Sequence, residues 1–350
     1  MTFENGPLVD ALAAAQVRAK SLNATNIENF RRHSGLLQAF KLIPASLEVL
    51  KSVATTAGAF DLIYANSKKA VPFGLIAGKL AGKPVLIHIH DIIDEKHFSR
   101  FSRETFLLMT NALATAVITN SQATKDAFVK LGGCAEKTFI VHNGFNKLNF
   151  EPIDEQKAVA LKDELGLLPG APVIGCFGRI SLGKGQAILL KAATRLQGNV
   201  QFLLVGAAPF GEENYLAELQ EQAAKAGLIE RVKFTGFRSD VNAMMQLCDI
   251  VVHPAIHPEA FGRTIVEAQL SRTPVVATNT GGVGELISHG KTGLLCDPGD
   301  ANQIAARIEE LLSNKELRDE IIEAGYEFAV KNFSLQATFD RLDEVIGICL

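Results

Sequence analysis

Val173-Ile-Gly-Cys-Phe177-Gly178-Arg179-Ile-Ser-Leu-Gly-Lys184-Gly185 is an apolar run that leads into a glycine-rich turn carrying two cations. A continuous apolar run of this length is typical of a strand covered on both faces, as in parallel α/β sheets. We therefore expect a strand over 173–177 and a strand-to-helix turn after it. Such a turn can direct the Arg179 guanidinium and the Lys184 ammonium at phosphates or at a departing nucleotide.

Further short apolar runs alternate with helical segments along the whole chain, which is the pattern of parallel α/β sheets. A chain of 350 residues is long for one core and suits two domains. The sequence therefore predicts an α/β protein with two Rossmann-like domains. The other expected strands are 61–65, 84–88, 116–119, 138–141, 201–205, 232–235, 249–252 and 274–277.

The clearest linker-like composition lies between the strands that end at Val141 and begin at Val173. We expect an N-terminal domain over 1–150 and a C-terminal domain over 151–333, with a final helix at about 334–350 that packs back on the first domain. The segment Gly6-Pro7-Leu8 looks like the end of a first βαβ unit. Because a doubly wound domain normally opens with its central strand, we expect the N-terminal domain to be incomplete at its start.

The composition describes a soluble globular protein, with 47% apolar and 21% charged residues. The formal charge of −3 supplies no positive field for nucleic acid, so we expect no nucleic-acid partner. No apolar run is as long as a bilayer span, and no signal peptide opens the sequence. The cysteines show no C-x-x-C spacing, which favours reduced thiols and a cytoplasmic protein; they are Cys134, Cys176, Cys248, Cys296 and Cys349.

The stretch His257-Pro-Glu259-Ala-Phe-Gly262-Arg-Thr-Ile-Val-Glu267 places two glutamates seven residues apart, after a strand and at the start of a helix. The free N–H groups near Gly262 and the positive end of that helix can hold a diphosphate without a metal ion. Glu259 and Glu267 can then reach opposite ends of one ligand, and a carboxylate pairs well with vicinal hydroxyls. The alternative is a surface Glu259 and a Glu267 favoured only by the helix dipole.

The turn over 178–185 superficially resembles the P-loop of nucleoside triphosphatases. In that motif Ser or Thr follows the lysine and binds magnesium, whereas Gly185 follows Lys184 here, so this interpretation is disfavoured. Gly281-Gly282-Val-Gly-Glu285-Leu286 supplies a further glycine-rich helix start after the strand at 274–277.

His88-Ile-His90-Asp91 ends an apolar strand, so these side chains arrive at the edge where open α/β sheets bind ligands. The period-two spacing puts both imidazoles on one face. A histidine there can bond a sugar hydroxyl or help to move a proton. Two alternatives stay open: a metal site formed with Asp91, and a histidine that only fills polar space at a strand end.

Taken together, these segments resemble the family-four group of retaining glycosyltransferases, in which two facing Rossmann-like domains form the GT-B fold. The resemblance covers nearly the whole chain, and the order and intervals of its motifs are specific. Its motifs are 4–8, 83–91, 119–121, 142–144, Gly178-Arg179 with Lys184-Gly185, 234–237, the glutamate pair, Gly281-Gly282 and 290–294.

The resemblance implies a donor site in the C-terminal domain. It assigns Gly178, Arg179 and Lys184 to the donor diphosphate and Glu267 to the ribose hydroxyls. Glu259 and the following backbone would contact the donor hexose and its phosphates; these residues are Ala260, Phe261, Gly262, Arg263 and Thr264. The loop at Gly236, Phe237 and Arg238 would receive the nucleotide base.

His90, preferred over His88, would lie beside the reacting sugar, and the resemblance makes His90, Arg179, Lys184 and Glu259 the catalytic residues. It further implies transfer of a hexose from a nucleotide-sugar, with UDP favoured and GDP open, and retention of the anomeric configuration. The acceptor would be a sugar, a lipid-linked molecule or another small molecule. No Asp-x-Asp pair is present, consistent with a metal-independent reaction that needs no cofactor.

The sequence starts after the strand and Gly-Gly loop with which members of this group begin. A second interpretation is therefore a catalytically weak nucleotide-sugar-binding or scaffold protein. A third, less favoured, is an epimerase or phosphorylase of the same architecture.

A helix expected from about Asn29 carries Arg31 and Arg32 beside an apolar stripe, which would suit a peripheral contact with the inner membrane face. Such a stripe is more often domain core.

Overall fold

Every strand pairing of the described residues is parallel, as the sequence predicted. The computed structural model describes residues 1–3, 5–22, 43–93, 100–208 and 211–350. The helix expected from about Asn29 lies outside these described residues.

The described chain separates into two units. The first contains Met1–Asn120, Lys125–Ile140 and Leu342–Leu350, and the second contains Ser121–Thr124 and Val141–Arg341. The domain limits that the sequence suggested, at 150 and 333, remain predictions.

The described residues contain ten strands in two sheets, and nine of them were predicted to within two residues at each end. The tenth, β10, was not among the expected strands. The strands are β1 Ile63–Ala65, β2 Val85–Ile89, β3 Ala116–Thr119, β4 Thr138–Ile140, β5 Val173–Phe177, β6 Gln201–Val205, β7 Val232–Gly236, β8 Ile250–His253, β9 Val275–Thr278 and β10 Leu294–Cys296.

Helices follow most strands, as parallel pairing requires. The helices of the described residues are α1 Pro7–Ala14, α2 Ile43–Ala57, α3 Ala70–Ala81, α4 Arg100–Leu113, α5 Gln122–Lys130, α6 Glu155–Glu164, α7 Gln186–Ala193, α8 Glu213–Lys225, α9 Val241–Gln246, α10 Arg263–Leu270, α11 Val283–Leu286, α12 Ala301–Ser313, α13 Lys315–Phe333 and α14 Leu335–Cys349.

The sheet of the first unit has four described strands in the order β1-β2-β3-β4. Alternate side chains of β2 point to one face, where Val85, Ile87 and Ile89 pack with Leu75 of α3 and Phe128 of α5. The end of β2 that carries the candidate histidines therefore belongs to a buried strand.

The sheet of the second unit has six described strands in the order β10-β9-β8-β5-β6-β7. The chain starts in the middle at β5, runs outward to β7, returns to β8 and then runs outward the other way. This is the doubly wound order, whose direction of winding changes between β5 and β8. Ligands of open α/β sheets bind outside the carboxyl ends of the strands at that point, so the fold itself selects the loops after β5 and β8.

Two apolar clusters cover opposite faces of this second sheet. Ile174 and Cys176 of β5 face one cluster, whereas Val173 and Phe177 face the other. Helices α7, α8 and α12 cover the first face, and α9, α10 and α13 cover the second. Burial on both faces explains why these strands are continuous apolar runs in the sequence, and it fixes the loops at the carboxyl edge.

Candidate functional site

The glycine-rich turn after β5 and the loop after β8 are in direct contact. The backbone N–H groups of Ile256 and His257 donate to the carbonyl oxygen of Gly183 at 3.0 and 3.2 Å. A Cβ at Gly185 would lie 1.8 Å from the Pro254 carbonyl oxygen, and Gly185 has a φ of +74°. Ser or Thr is therefore not accommodated after Lys184, which explains in physical terms why the turn departs from a P-loop.

This contact brings together two of the predicted site residues. The Lys184 Nζ lies 2.7 Å from Oε1 of Glu259, and both side chains are largely buried. A cation from the first turn and the first glutamate of the second motif are thus paired in the structure.

Gly281 packs against the backbone of Glu259. The Gly282 N–H donates to the Glu259 carbonyl oxygen at 2.8 Å, and Glu259 forms a parallel bridge with Gly281. A Cβ at Gly281 would lie 2.1 Å from that same oxygen, and its φ is +58°. Only glycine fits here, so the Gly281-Gly282 pair positions the backbone of Glu259.

His253, the last residue of β8, belongs to the same site and was missed by the sequence analysis. Its side chain is 5% exposed; Nδ1 lies 2.9 Å from the Thr264 hydroxyl, and Nε2 lies 3.7 Å from Glu259 Oε1. The sequence did contain a signal for His253, because it is a polar residue at the end of a buried strand. The same feature had identified His88 and His90. His253 was overlooked because the predicted strand stopped one residue earlier.

The Glu259 carboxylate is held in its charged form. Burial alone would raise its pKa, but His253 and Lys184 together outweigh burial and lower the pKa to about 2. A carboxylate that stays ionised can accept hydrogen bonds from ligand hydroxyls at any physiological pH.

This pKa predicts a pH-dependent contribution to stability. Since the folded pKa of about 2 lies below the ordinary 4.5, the contribution is complete above about pH 4.5 and is lost as the pH falls towards 2. Urea unfolding should show that Glu259→Gln loses about 3 kcal/mol relative to the parent near neutral pH and much less near pH 2. The exposed Glu230→Gln serves as the control, and a pH-independent difference for Glu259→Gln would contradict the interpretation.

Helix α10 begins at this site without a side-chain cap. Its N-cap is Gly262, with a φ of +104°, and this residue offers no side chain to the first turn of the helix. Helices α6, α12 and α13, by contrast, are capped by Asp154, Asp300 and Asn314. No N-cap side chain therefore competes for the first N–H groups of α10, and such groups can bind an anion.

Glu267 lies about one helical turn after Arg263 on α10, and the two side chains pair at 3.2 Å. Burial raises the pKa of Glu267, while Arg263 opposes that shift. The Arg263 guanidinium also lies over the ring of Phe145, 4.8 Å from its centroid. Ala260 and Phe261 complete the loop, and the Phe261 ring is buried in the core rather than presented to a ligand.

Gly236, Phe237 and Arg238 lie at the end of β7 and just after it, and β7 is two strands away from β5 in the sheet. Since neighbouring strands lie about 4.8 Å apart, this loop stands roughly 10 Å from the turn after β5. Phe237 is 79% exposed. The Arg238 guanidinium is instead taken up by Asp240, at 2.7 and 2.8 Å, and by Glu164, so it holds the loop rather than presenting a free charge.

Gly178 and Arg179 follow β5 directly. The Gly178 N–H donates to the Val205 carbonyl oxygen at 2.9 Å, and a Cβ at Gly206 would lie 1.9 Å from the Gly178 carbonyl oxygen. The backbone here is therefore fixed against β6, while Arg179 is exposed.

His90 belongs to the first unit, just after the end of β2. The His88 and His90 rings lie on one face with centroids 3.8 Å apart, as their spacing predicted. His88 Nδ1 lies 2.6 Å from the Tyr64 hydroxyl, and His90 Nε2 contacts the amide oxygen of Asn66. Burial lowers the pKa of His90, against the opposing effect of Asp91. Burial and the neighbouring His90 lower that of His88 to about 3, so both rings are neutral near pH 7.

Among the residues that the structure describes, no three His, Cys, Asp or Glu side chains are grouped so that they could hold a metal ion. Asp91, the third member of the alternative metal site, pairs with Lys68 at 3.0 Å. Within the described ranges, no helix combines the length and the apolar character needed to cross a bilayer.

Two protein-family profiles match the chain. The profile of Glycosyltransferase Family 4 matches residues 11–147, and that of Glycosyl transferases group 1 matches residues 160–328. The second match contains the turn after β5, the glutamate pair and Gly281.

Similar proteins are glycosyltransferases. The lipopolysaccharide core biosynthesis glycosyltransferase LpsE of Rhizobium meliloti is 33% identical over 177 residues, covering 51% of this chain and 50% of that protein. The α-D-kanosaminyltransferase of Streptomyces kanamyceticus is 32% identical over 193 residues, covering 54% and 48%. This chain therefore spans about half the length of these two relatives.

A solved structure matches a larger share of this chain than these two relatives do. Anabaena HepE in complex with UDP is 34% identical, with a TM-score of 0.87, over 99% of this chain and 90% of that one. HepE is also known in complex with UDP-glucose, and that structure matches with a TM-score of 0.86. The α/β fold with two parallel-sheet domains, the convergence of the two loops after β5 and β8, and both profiles agree: the chain is a member of the Glycosyl transferases group 1 family with the GT-B fold.

Proposed function

We propose that the chain transfers a hexose from a UDP-sugar to an acceptor, with retention of the anomeric configuration and without a metal ion. The carrying observation is the Lys184–Glu259 pair beside the uncapped N-terminus of α10. Such a site offers a movable cation and backbone donors to an anion, and a charged carboxylate to hydroxyls. The complexes of HepE with UDP and UDP-glucose support the choice of nucleotide.

The donor pyrophosphate would lie between α10 and the turn after β5. Its oxygens would accept hydrogen bonds from the first N–H groups of α10 and from Arg179 and Lys184. As the bond to the sugar breaks, negative charge grows on the leaving nucleotide, and these fixed donors stabilise it where it develops. Backbone amides and two cations stabilise this charge, so the proposed reaction needs no metal ion.

The nucleoside would extend towards β7. Phe237 offers an exposed ring on which a base can stack, and the separation of about 10 Å between β7 and β5 suits the distance from base to pyrophosphate. Arg238 would act by holding this loop through Asp240 and Glu164. The Glu267 carboxylate would accept hydrogen bonds from the ribose hydroxyls. To do so it would give up its contact with Arg263.

The hexose would contact Glu259 and the loop that follows it. A buried, ionised carboxylate is a strong acceptor for two neighbouring sugar hydroxyls and fixes the orientation of the ring. His90, neutral near pH 7, is our proposed acceptor-side group beside the reacting sugar.

The acceptor class is proposed from the chemistry of the relatives. LpsE is a glycosyltransferase of lipopolysaccharide core biosynthesis, and we propose glycan or glycolipid synthesis in the cytoplasm, with peripheral contact at the inner membrane face. We also propose the roles given above for the predicted site residues and the domain limits at 150 and 333.

A thermal-shift screen of UDP-, GDP- and ADP-sugars tests the proposal. A ligand that binds only the native state stabilises it by about 2.7 kcal/mol at a concentration of 100 times its dissociation constant, so the UDP-sugar should raise the melting temperature. Glu267→Ala should abolish most of that shift, while the exposed Glu230→Ala should leave it unchanged. No shift with any of the three nucleotides would contradict the proposal. Binding without transfer or hydrolysis would instead favour a catalytically weak binding protein.

A further inference from the structure

The buried His253 imidazole has one satisfied nitrogen and one unsatisfied nitrogen. Nδ1 lies within hydrogen-bonding distance of the Thr264 hydroxyl, at 2.9 Å. Nε2 is buried, has no hydrogen-bond partner in the described structure, and faces Glu259 Oε1 across 3.7 Å. A buried polar nitrogen without a hydrogen-bond partner costs free energy, so this arrangement is expected to have a purpose in another state of the site.

The same Glu259 oxygen is occupied by Lys184, at 2.7 Å. In the proposed reaction Lys184 must turn towards the pyrophosphate, because it stabilises the charge of the leaving group. The Glu259 side chain is only 15% exposed. If Lys184 left without replacement, a buried carboxylate would lose its nearest hydrogen-bond donor, which is strongly unfavourable.

We propose that His253 is a positioning residue that takes over Glu259 when Lys184 turns to the donor pyrophosphate. In the structure the distance of 3.7 Å between Nε2 and Glu259 Oε1 is too long for a hydrogen bond, and a small shift of the carboxylate towards the ring closes it. Site hydrogen bonds that are long without ligand commonly shorten in the complex. This inference rests on the proposed function, because it needs a pyrophosphate that competes for Lys184.

The inference requires the tautomer of His253 that carries its proton on Nε2. In that tautomer the Thr264 hydroxyl donates to Nδ1, and the Nε2–H can donate to Glu259. No proton is transferred in this exchange. Thr264 is the second residue of α10, so the same ring ties Glu259 to the helix end that would hold the phosphates.

The backbone of His253 is held in place, and the buried ring is bonded to Thr264 through Nδ1. The His253 carbonyl oxygen accepts a hydrogen bond from the Thr278 hydroxyl at 3.3 Å, and the same hydroxyl bonds the carbonyl oxygen of Ala255 at 2.5 Å. Since the ring is fixed, the carboxylate is the group that adjusts. His253 therefore defines where Glu259 comes to rest in the complex.

A double-mutant cycle on UDP binding tests the inference. Calorimetry would measure the affinity of the parent, His253→Leu, Glu259→Gln and the double variant for UDP. His253→Leu should weaken UDP binding about tenfold, because Glu259 then keeps Lys184. In the Glu259→Gln background the same substitution should change the affinity by less than about twofold, because a neutral amide does not hold the cation.

His253→Gln distinguishes positioning from packing, because its amide nitrogen can take the place of Nε2. It should recover most of the lost affinity, whereas His253→Asn, which reaches only the Nδ1 position, should not. If His253→Leu does not fold, His253→Asn takes its place in the cycle. Equal losses in the parent and Glu259→Gln backgrounds, or no difference between His253→Gln and His253→Asn, would overturn the inference while leaving the proposed function intact. A parent protein that binds no UDP would overturn both.

Discussion

Lys184→Ala is expected to lower kcat by roughly 10²- to 10³-fold, the usual effect of removing one group that stabilises developing negative charge. In the structure Lys184 stands 2.7 Å from Glu259 at the end of the turn after β5, beside the start of α10. The ammonium is needed most when the leaving nucleotide carries its full charge. The loss should therefore fall on kcat more than on KM.

The measurement is steady-state transfer, or donor hydrolysis where no acceptor is known, with Lys191→Ala as the control. Lys191 is an exposed lysine of α7, close in sequence and outside the site. Lys184→Arg should retain part of the activity, since it keeps the charge but changes its shape. Equal rates for Lys184→Ala and Lys191→Ala would refute the role of Lys184.

Gly281→Ala is expected to reduce both stability and donor binding. A Cβ at this position would lie 2.1 Å from the carbonyl oxygen and 2.6 Å from the nitrogen of Glu259, and these backbone atoms cannot rotate away. The backbone that carries Glu259 must therefore move. Since displacement of a binding group by about 1 Å can cost 10²-fold in rate, we expect activity to fall by at least that factor.

Gly290→Ala is a matched control for this prediction. Gly290 also has a positive φ, of +76°, but a Cβ there would meet nothing within 4 Å. Gly290→Ala should therefore cost only the backbone strain of about 1–2 kcal/mol. Gly281→Ala should exceed that cost in urea unfolding and alone should lose UDP binding. Equal behaviour of the two variants would show that the contact with Glu259 is unimportant.

Much of the second unit could be predicted from sequence because its strands are buried on both faces. Burial makes β5 and β6 continuous apolar runs, and their limits were predicted to the residue. β10 was not predicted, because its position depends on pairing with β9, which no local pattern reveals. The contact between the turn after β5 and the loop after β8 agrees with the topology of such sheets.

The parts of the candidate site that the sequence did not predict are contacts between segments that are distant in sequence. That Gly281 lies under Glu259 depends on a close approach of two loops, and a pair of glycines alone does not indicate it. That Arg238 is held by Glu164 depends on where α6 lies. His253 was within reach of the sequence, because it is the polar end of an apolar strand, but its two partners could be identified only from coordinates.

The central claim is that α10, Arg179 and Lys184 together bind a pyrophosphate. Calorimetric titration of the parent and of Arg179→Ala/Lys184→Ala with UDP and with uridine tests it most directly. Because most of the affinity is assigned to the pyrophosphate, the parent should bind UDP at least about 100-fold more tightly than uridine, and the double variant should lose most of that difference. Uridine that binds the parent as tightly as UDP, or a double variant that keeps the parent's preference, would contradict the account.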